Sequence, residues 1–247
     1  MRRNLLKAKL AEGKAVWGVM VTFPSPPVLE MLGYLGFESA EECVRACEVA
    51  GLTPVVRPIA NRPDAITPFL DRGCTGVQVP HVNTAAEARA VVEAVKFAPQ
   101  GHRGMFFRAR PNDYGFASSP AEYVEAANRE TLVVAMVEEV EGVRNAGAIA
   151  AVEGVDVVFV GTGDLSQALG YPGQQTHPEV LRLAEEAIAA VRGAGKVAGV
   201  SCPEDHIPHF LERGVQFFHS SVQQLLLAAG RDHLSRVTAW AKQAGRG

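Results

Sequence analysis

The sequence predicts an α/β fold, a (β/α)8 TIM barrel with an N-terminal leading helix, built as a single domain over residues 1–247. Three observations predict it. Short valine-rich runs, apolar on both faces, alternate with longer helical stretches, which is the pattern of a parallel sheet covered by helices. A glycine precedes the strand in Gly51-Leu52-Thr53, Gly73-Cys74-Thr75-Gly76, Gly154-Val155-Asp156, Gly195-Lys196-Val197 and Gly214-Val215-Gln216, as a helix C-cap followed by re-entry into a sheet requires. The length of 247 residues sits near the roughly 250 typical of such a barrel, or about 31 residues per βα unit. No Pro/Ser linker and no shift of composition divides the chain.

The elements follow in order. A leading helix is expected over 4–11, ended near Gly13, then a strand over 16–21. Pro26 and Pro27 open a helix over 26–33, with proline in its first turn. A second helix is expected over 40–50, directly after it. A strand over 53–57 leads to a helix over 63–72, a strand over 76–80 to a helix over 84–96. The irregular stretch 99–118 carries Arg103, Arg108 and Arg110 and is expected to help shape a site. A helix over 120–128 follows. The second half is more regular: strands over 132–137, 155–160, 197–200 and 215–220 alternate with helices over 142–151, 178–194, 204–213 and 223–243.

That reading counts seven strands. Around Gly36-Phe37-Glu38-Ser39 two helices abut with no apolar β run between them, although each helix of a right-handed parallel barrel should return to a strand. The second strand and its loop are therefore expected to be missing after Phe37. Either the segment is deleted, or about a dozen residues of the natural chain, one strand and its loop, belong there. The second is favoured, because removing an inner strand leaves unpaired N–H and C=O groups on both neighbours.

Composition narrows the function classes. Hydrophobic residues at 47% and charged residues at 21% describe a globular chain rather than a disordered one. A net charge of -3 argues against a broad electrostatic grip on nucleic acid. No apolar run reaches the roughly 18 residues of a membrane span, and the basic N-terminus is not followed by a signal-peptide core. A cytoplasmic protein with reduced thiols is expected. Cys43 and Cys47 stand four apart on a predicted helix, read as two small buried residues rather than a metal or redox pair.

In a parallel barrel the catalytic groups sit at the C-terminal ends of strands. That rule selects Arg57, His81, Glu138, Glu139, the Gly161-Thr162-Gly163-Asp164 turn, Ser201-Cys202 and Ser220-Ser221. Glu138 and Asp164 end successive strands, so their carboxylates could converge. Two such oxygens, completed by water and substrate, suit Mg²⁺ or Mn²⁺; each could instead cap a following helix. The glycine turn could hold a carboxylate or phosphate on its N–H groups, or be a plain turn. Arg57 could stabilise a developing enolate or pair with a neighbouring acid. Asp71 lies near a helix C-terminus, where the dipole disfavours a negative charge. His81 suits acid/base work by position, although a lone loop histidine is more often structural. His206, His209 and His233 are expected on helix surfaces.

These motifs together resemble the HpcH/HpaI family of class II pyruvate aldolases. The likeness rests on Pro54-Val55-Val56-Arg57-Pro58, Leu70-Asp71-Arg72-Gly73, Gly76-Val77-Gln78-Val79-Pro80, Val82-Asn83-Thr84, Pro99 with Gly101 and Arg103-Gly104, Val137-Glu138 with Glu141-Gly142-Val143, and Gly161-Thr162-Gly163-Asp164-Leu165-Ser166. The resemblance implies reversible aldol cleavage of a 4-hydroxy-2-keto acid to pyruvate and an aldehyde. It implies Glu138 and Asp164 as ligands of Mg²⁺ or Mn²⁺, with Co²⁺ a further candidate. Met136, Gly161, Thr162, Gly163 and Asp164 would contact substrate, Arg57 would stabilise the enolate, and Asp71 would orient a catalytic histidine. It also implies a hexamer with exchanged C-terminal helices, with small molecules rather than nucleic acid or membrane as partners.

Three departures stand out. Thr162 and Gly163 replace the middle of the family's G-P-A-D, and Met136 replaces a glutamine. The loop that carries the family's base histidine has no counterpart after Phe37. Two other readings follow: a related carbon–carbon lyase such as an oxaloacetate decarboxylase, or, if the loop is truly deleted, a non-catalytic barrel that binds a keto acid.

Overall fold

The structure is a computed structural model that describes residues 1–21, 25–34, 39–40 and 44–244. Helix α1 (Leu5–Ala11) precedes strand β1 (Val16–Met20), then α2 (Pro26–Tyr34), β2 (Ser39–Ala40), α3 (Val44–Val49), β3 (Thr53–Val56), α4 (Pro63–Asp71), β4 (Gly76–Val79) and α5 (Ala85–Val95). A 3₁₀ turn at Arg110–Gly115 and α6 (Pro120–Glu130) lead to β5 (Leu132–Val137). Then come α7 (Val140–Arg144), α8 (Ala146–Ala150), β6 (Val157–Gly161), α9 (Thr162–Ala168), α10 (Pro178–Gly193), β7 (Val197–Ser201), a 3₁₀ turn at Glu204–His206, α11 (Ile207–Glu212), β8 (Phe217–Ser221) and α12 (Val222–Gln243).

Seven strands of four to six residues curl into a parallel, TIM-like sheet, and β8 returns to pair with β1 from Val16↔Phe217 to Met20↔Ser221. Among the described residues the place between β1 and β3 is taken by Ser39 and Ala40, with Gly18↔Ser39 and Val19↔Ala40 on one side and Ser39↔Thr53 and Ala40↔Pro54 on the other. This corrects two expectations. The helix expected over 40–50 is described from Val44, with 41–43 outside the described residues, and Ser39–Ala40 belong to a second strand rather than to a helix and its cap. Pro54 has no N–H to donate to the strand beside it. Cys43 lies outside the described residues, so the Cys43–Cys47 pair is not placed; Cys47 is buried.

The five glycines expected as C-caps all carry positive φ: Gly51 at 73°, Gly73 at 108°, Gly154 at 90°, Gly195 at 73° and Gly214 at 75°. A side chain is strained in that conformation, so the glycines fix where each helix turns back into the sheet. The expected helix over 142–151 is divided into α7 and α8 at Asn145. The helix over 204–213 is a 3₁₀ turn followed by α11.

Two layers of apolar packing hold the fold. Outside the sheet, Val77, Val79, Val91, Val95, Ile149, Ile188 and Val191 join sheet to helices. Inside it, Val134, Met136, Val157, Phe159 and Phe217 fill the lumen. Phe159 and Phe217 meet edge to face at 5.9 Å, and a Cβ at Gly199 would fall 2.5 Å from the Phe159 ring, so only glycine fits there. Helix α1 closes the N-terminal end. Leu6 and Leu10 enter the interior, and the Asn4 amide donates to the carbonyls of Thr75 (2.8 Å) and Glu130 (3.0 Å).

The stretch 99–118 also lies at that N-terminal end, because it follows the C-terminus of α5. Arg110 forms a close ion pair with Glu48 of α3 and donates to the Arg72 carbonyl. It therefore does not shape the mouth of its own barrel, contrary to expectation. Helix α12 leaves the body with Leu226, Leu227, Leu234 and Trp240 exposed. No helix among the described residues is long and apolar enough to cross a membrane.

Candidate active site

The mouth is built by the period of two along each strand. In β5 the side chains of Leu132, Val134 and Met136 point into the lumen, so Glu138, one step past the strand end, points the same way. It is 1% exposed, a buried carboxylate. Its Oε1 accepts from the backbone N–H of His81 at 3.0 Å. Its Oε2 is buried with no hydrogen-bond partner. Burial, and then the neighbouring Asp164 carboxyl, push the Glu138 carboxyl above the usual range. The two expected carboxylates therefore do meet.

Asp164 sits in the first turn of α9 and is exposed. The helix starts at Thr162, so Asp164 is not its cap, which removes the alternative reading of that residue. Gly161 gives the pair room: a Cβ there would approach the Met136 methyl and the Glu138 Cβ to 2.9 Å each. Gly163 is open, with only the Gln175 amide nitrogen 3.9 Å from an added Cβ, and its carbonyl accepts from Ser166 Oγ at 2.6 Å. Thr162 differs from expectation. Its hydroxyl is engaged by the Ser201 carbonyl at 2.5 Å and Gln175 Oε1 at 3.1 Å, so its side chain anchors α9 to β7.

Arg57 follows β3 directly and is exposed at the mouth. Among the described residues no carboxylate pairs with it, so the salt-bridge alternative is not met there. Asp71 is corrected. It ends α4, which has carried the chain back to the N-terminal ends of the strands, away from Glu138. Its carboxylate is bound by Arg103 at 2.8 Å, not by a histidine, and the Arg103 side chain is 2% exposed. Arg103 in turn lies 4.5 Å over the Phe97 ring, so the pair ties the 99–118 stretch to α4.

His81 is closer to the chemistry than a lone loop histidine suggests. It holds a left-handed φ of 55°, and its Nδ1 lies 3.0 Å from Glu139 Oε1 and 3.4 Å from Glu138 Oε1. Such backbone strain gathers at functional sites. Sequence reasoning missed two polar residues of the lumen, Gln78 and His219. The signal was present: on alternation His219 shares the inward face of β8 with Phe217. The Gln78 amide nitrogen donates to Met136 Sδ at 3.4 Å and lies 3.4 Å from His219 Nε2.

Among the described residues no group of three or more His, Cys, Asp or Glu side chains converges as a metal site. The Glu138–Asp164 pair still fits a hard divalent cation. A buried carboxylate oxygen without a partner, beside a second carboxylate, is what a cation would satisfy, and such ions keep several water and substrate oxygens in their shell.

The description "HpcH/HpaI aldolase/citrate lyase" belongs to the family model that matches residues 37–229. The chain is 36% identical to a hydroxypyruvate/pyruvate aldolase of Pseudomonas aeruginosa, with 91% of this chain and 88% of the relative covered. It is 32% identical to a pyruvate aldolase of Rhizobium etli, with 94% and 96% covered. That second alignment extends over 247 positions while using 94% of this chain, so the relative carries residues with no counterpart here. Among solved structures, an HpcH/HpaI aldolase/citrate lyase family protein of Burkholderia cenocepacia superposes with a TM-score of 0.88 at 28% identity, covering 95% of this chain and 99% of the other.

Proposed function

This chain belongs to the HpcH/HpaI aldolase/citrate lyase family, and from that membership we propose that the Glu138–Asp164 mouth cleaves a 4-hydroxy-2-keto acid to pyruvate and an aldehyde. The observation that carries the proposal is Glu138 Oε2, a buried carboxylate oxygen with no partner, facing a second carboxylate at the end of the next strand. Aldolases among its relatives act on pyruvate or hydroxypyruvate by name, which favours keto-acid chemistry over decarboxylation alone.

Glu138 and Asp164 would hold Mg²⁺ or Mn²⁺, with Co²⁺ a further candidate, and such an ion supplies Lewis-acid polarisation of a keto carbonyl. The residues of the chain do the rest. In cleavage the C4 hydroxyl gives its proton to a general base, the C3–C4 bond breaks as the aldehyde carbonyl forms, and its electron pair moves to the keto oxygen as an enolate. Return of that proton from the base to C3 then gives pyruvate, with no net gain or loss of protons. Arg57, charged and without a carboxylate partner among the described residues, stabilises the enolate oxygen. The open backbone at Gly163 and Asp164 receives the substrate carboxylate. Met136 and Gly161 form the apolar wall beside it, and burial around Glu138 keeps water off the reacting atoms.

We further propose a homo-oligomer, a hexamer by the family resemblance, in which α12 packs on a neighbouring copy. The exposed Leu226, Leu227, Leu234 and Trp240 along that helix support it. Small keto acids and aldehydes are the partners, not nucleic acid or membrane. A cytoplasmic location, the default for a chain of this composition with four cysteines, completes the proposal.

The test is pyruvate release from a 4-hydroxy-2-keto acid, with and without EDTA. Activity should vanish on chelation, return with Mn²⁺ or Mg²⁺, and be lost in Glu138→Ala. Chelator-resistant turnover, or a Glu138→Ala variant as active as wild type, would overturn the proposal.

A further inference from the structure

Gly163 stands in the first turn of α9 with no local reason to be glycine. It does not carry the positive φ that fixes the five cap glycines. Packing does not demand it either. Outside its own helix and chain neighbours, the nearest atom to an added Cβ is the Gln175 amide nitrogen at 3.9 Å, an ordinary contact. Alanine forms helix better than glycine, so the bare face costs stability and gains only space. Space beside a backbone is what a closely approaching ligand uses.

The opening belongs to the mouth. The turn 161–164 adjoins Glu138 at both ends: a Cβ at Gly161 would meet the Glu138 Cβ at 2.9 Å, and the Asp164 carboxyl neighbours that of Glu138. Between them Thr162 turns away towards β7. Its N–H donates to Ser201 Oγ at 3.1 Å, and its hydroxyl donates to the Ser201 carbonyl. Gly163, next to the exposed Asp164, is left with its bare face towards Gln175.

Gln175 is half-buried on the far side of that opening, and it is held there. The segment 169–177 folds back on α9: the Tyr171 N–H donates to the Ser166 carbonyl at 2.7 Å, and the Tyr171 and His177 rings stack with centroids 3.6 Å apart. Gln175 Oε1 shares the Thr162 hydroxyl with the Ser201 carbonyl, accepting at 3.1 Å. An amide held by its oxygen turns its two N–H donors the other way, here to the bare face of Gly163. Among the described residues no acceptor takes either of them.

We propose that Gln175 is a substrate-binding residue, whose amide donates across the bare face of Gly163 to the carboxylate of the keto acid. The proposal rests on the Glu138–Asp164 mouth binding a keto acid. A hydrogen bond to an ionised oxygen is stronger than one between neutral groups, so the carboxylate is the part of the substrate that an unclaimed amide N–H holds best. A neutral donor also suits the place. Lysine or arginine there would pair with the exposed Asp164, whereas an amide stays free for the substrate.

The test follows cleavage of a 4-hydroxy-2-keto acid with Mg²⁺ in wild type, Gln175→Met, Gln175→Glu, Gly163→Ala and the double variant Gln175→Met/Gly163→Ala. Gln175→Met should raise KM about 10-fold and leave kcat within about twofold, the mark of lost substrate binding. Gln175→Glu keeps the length but turns an anion on the substrate, and should raise KM further. Gly163→Ala suits the helix and fills the gap with a methyl group. It should raise KM by about the same factor as Gln175→Met, and the double variant should be no worse than either, because all three lose one contact. An unmoved KM in Gln175→Met, a loss in kcat alone, equal behaviour of Gln175→Met and Gln175→Glu, or losses that multiply in the double variant would overturn the proposal. A second readout needs no turnover. In wild type labelled with ¹⁵N in its glutamine side chains, pyruvate added with Mg²⁺ should shift the Gln175 NH₂ signals, identified by their absence from Gln175→Met; no shift would overturn it. Wild type that cleaves the keto acid beside unaffected variants removes the role of Gln175 alone. Wild type that neither cleaves it nor binds pyruvate overturns the aldolase reading, and this proposal with it.

Discussion

The backbone N–H of His81 donates to Glu138 Oε1 at 3.0 Å, and His81 holds a left-handed φ of 55° in doing so. The loop after β4 thus aims the carboxylate that ends β5. One carboxylate oxygen is fixed by the main chain, and the other is left free to face Asp164 and the mouth.

That relationship predicts a contrast between two substitutions. His81→Gly accepts positive φ without strain and keeps the N–H, so kcat/KM should stay within about threefold of wild type. His81→Val keeps the N–H but is strained by roughly 1–3 kcal/mol in that conformation. It should lower both the unfolding midpoint and kcat/KM. Measuring the two variants side by side decides it; equal behaviour would show that the backbone conformation does not set Glu138.

Glu138 also predicts a pH dependence. Its carboxyl is raised in the folded protein by burial and by Asp164, so the folded state holds a proton that the unfolded state has released. Stability of the metal-free protein should therefore fall as pH rises from the ordinary carboxylate range through the raised folded value, and the cost is fully present above that. Glu138→Gln removes the titration. At neutral pH it should be more stable than metal-free wild type by on the order of 1 kcal/mol, while inactive. Added Mn²⁺ should raise the melting temperature of wild type and not of the variant. Urea unfolding across pH, with and without metal, reads all of this.

Asp71 predicts loss of stability. Removing its carboxylate leaves the Arg103 guanidinium, with a side chain 2% exposed, without its ion partner. Breaking a buried pair from one side costs about 3–5 kcal/mol, and Asp71→Ala should come near the lower end because Asp71 itself is partly exposed. A chemical-denaturation midpoint close to wild type would contradict the pairing.

Lys96 gives a second pH signature of the opposite sign. Its ammonium is buried and lowered to about 8, although it donates to the carbonyls of Asn128 (2.6 Å) and Thr131 (2.7 Å). Between that value and the ordinary lysine range the unfolded chain binds the extra proton, so stability gained by folding rises with pH there. The stability of wild type relative to Lys96→Met should rise by about 1–2 kcal/mol from pH 7.5 to 10. Those two carbonyl bonds offset part of the burial and keep the figure modest. A constant difference across that range would count against the burial as the cause.

Much of the fold was legible because its signals are local. The glycines at 51, 73, 154, 195 and 214 turn each helix back into the sheet by backbone conformation alone, and all five hold positive φ. Apolar runs without alternation report strands buried on both faces. Ala40 was misread as helical because Ser39 and Ala40, the described residues of β2, carry no period to detect. Asp71 was misread because a motif states which residue is present and not which end of the barrel its helix has reached.

By itself, then, the sequence determined the alternating parallel architecture, the helix ends and the two carboxylates at the ends of neighbouring strands, since each depends on residues close in the chain. Only the tertiary structure decided which groups share a space. It set Glu138 against Asp164 and His81, gave Asp71 to Arg103, and brought His219 from the last strand across the lumen to Gln78, 141 positions away. Those meetings depend on closing the sheet, β8 onto β1, and on packing at the centre of the barrel, where burial turns a neighbour into a change of charge, proton affinity or hydrogen-bonding role.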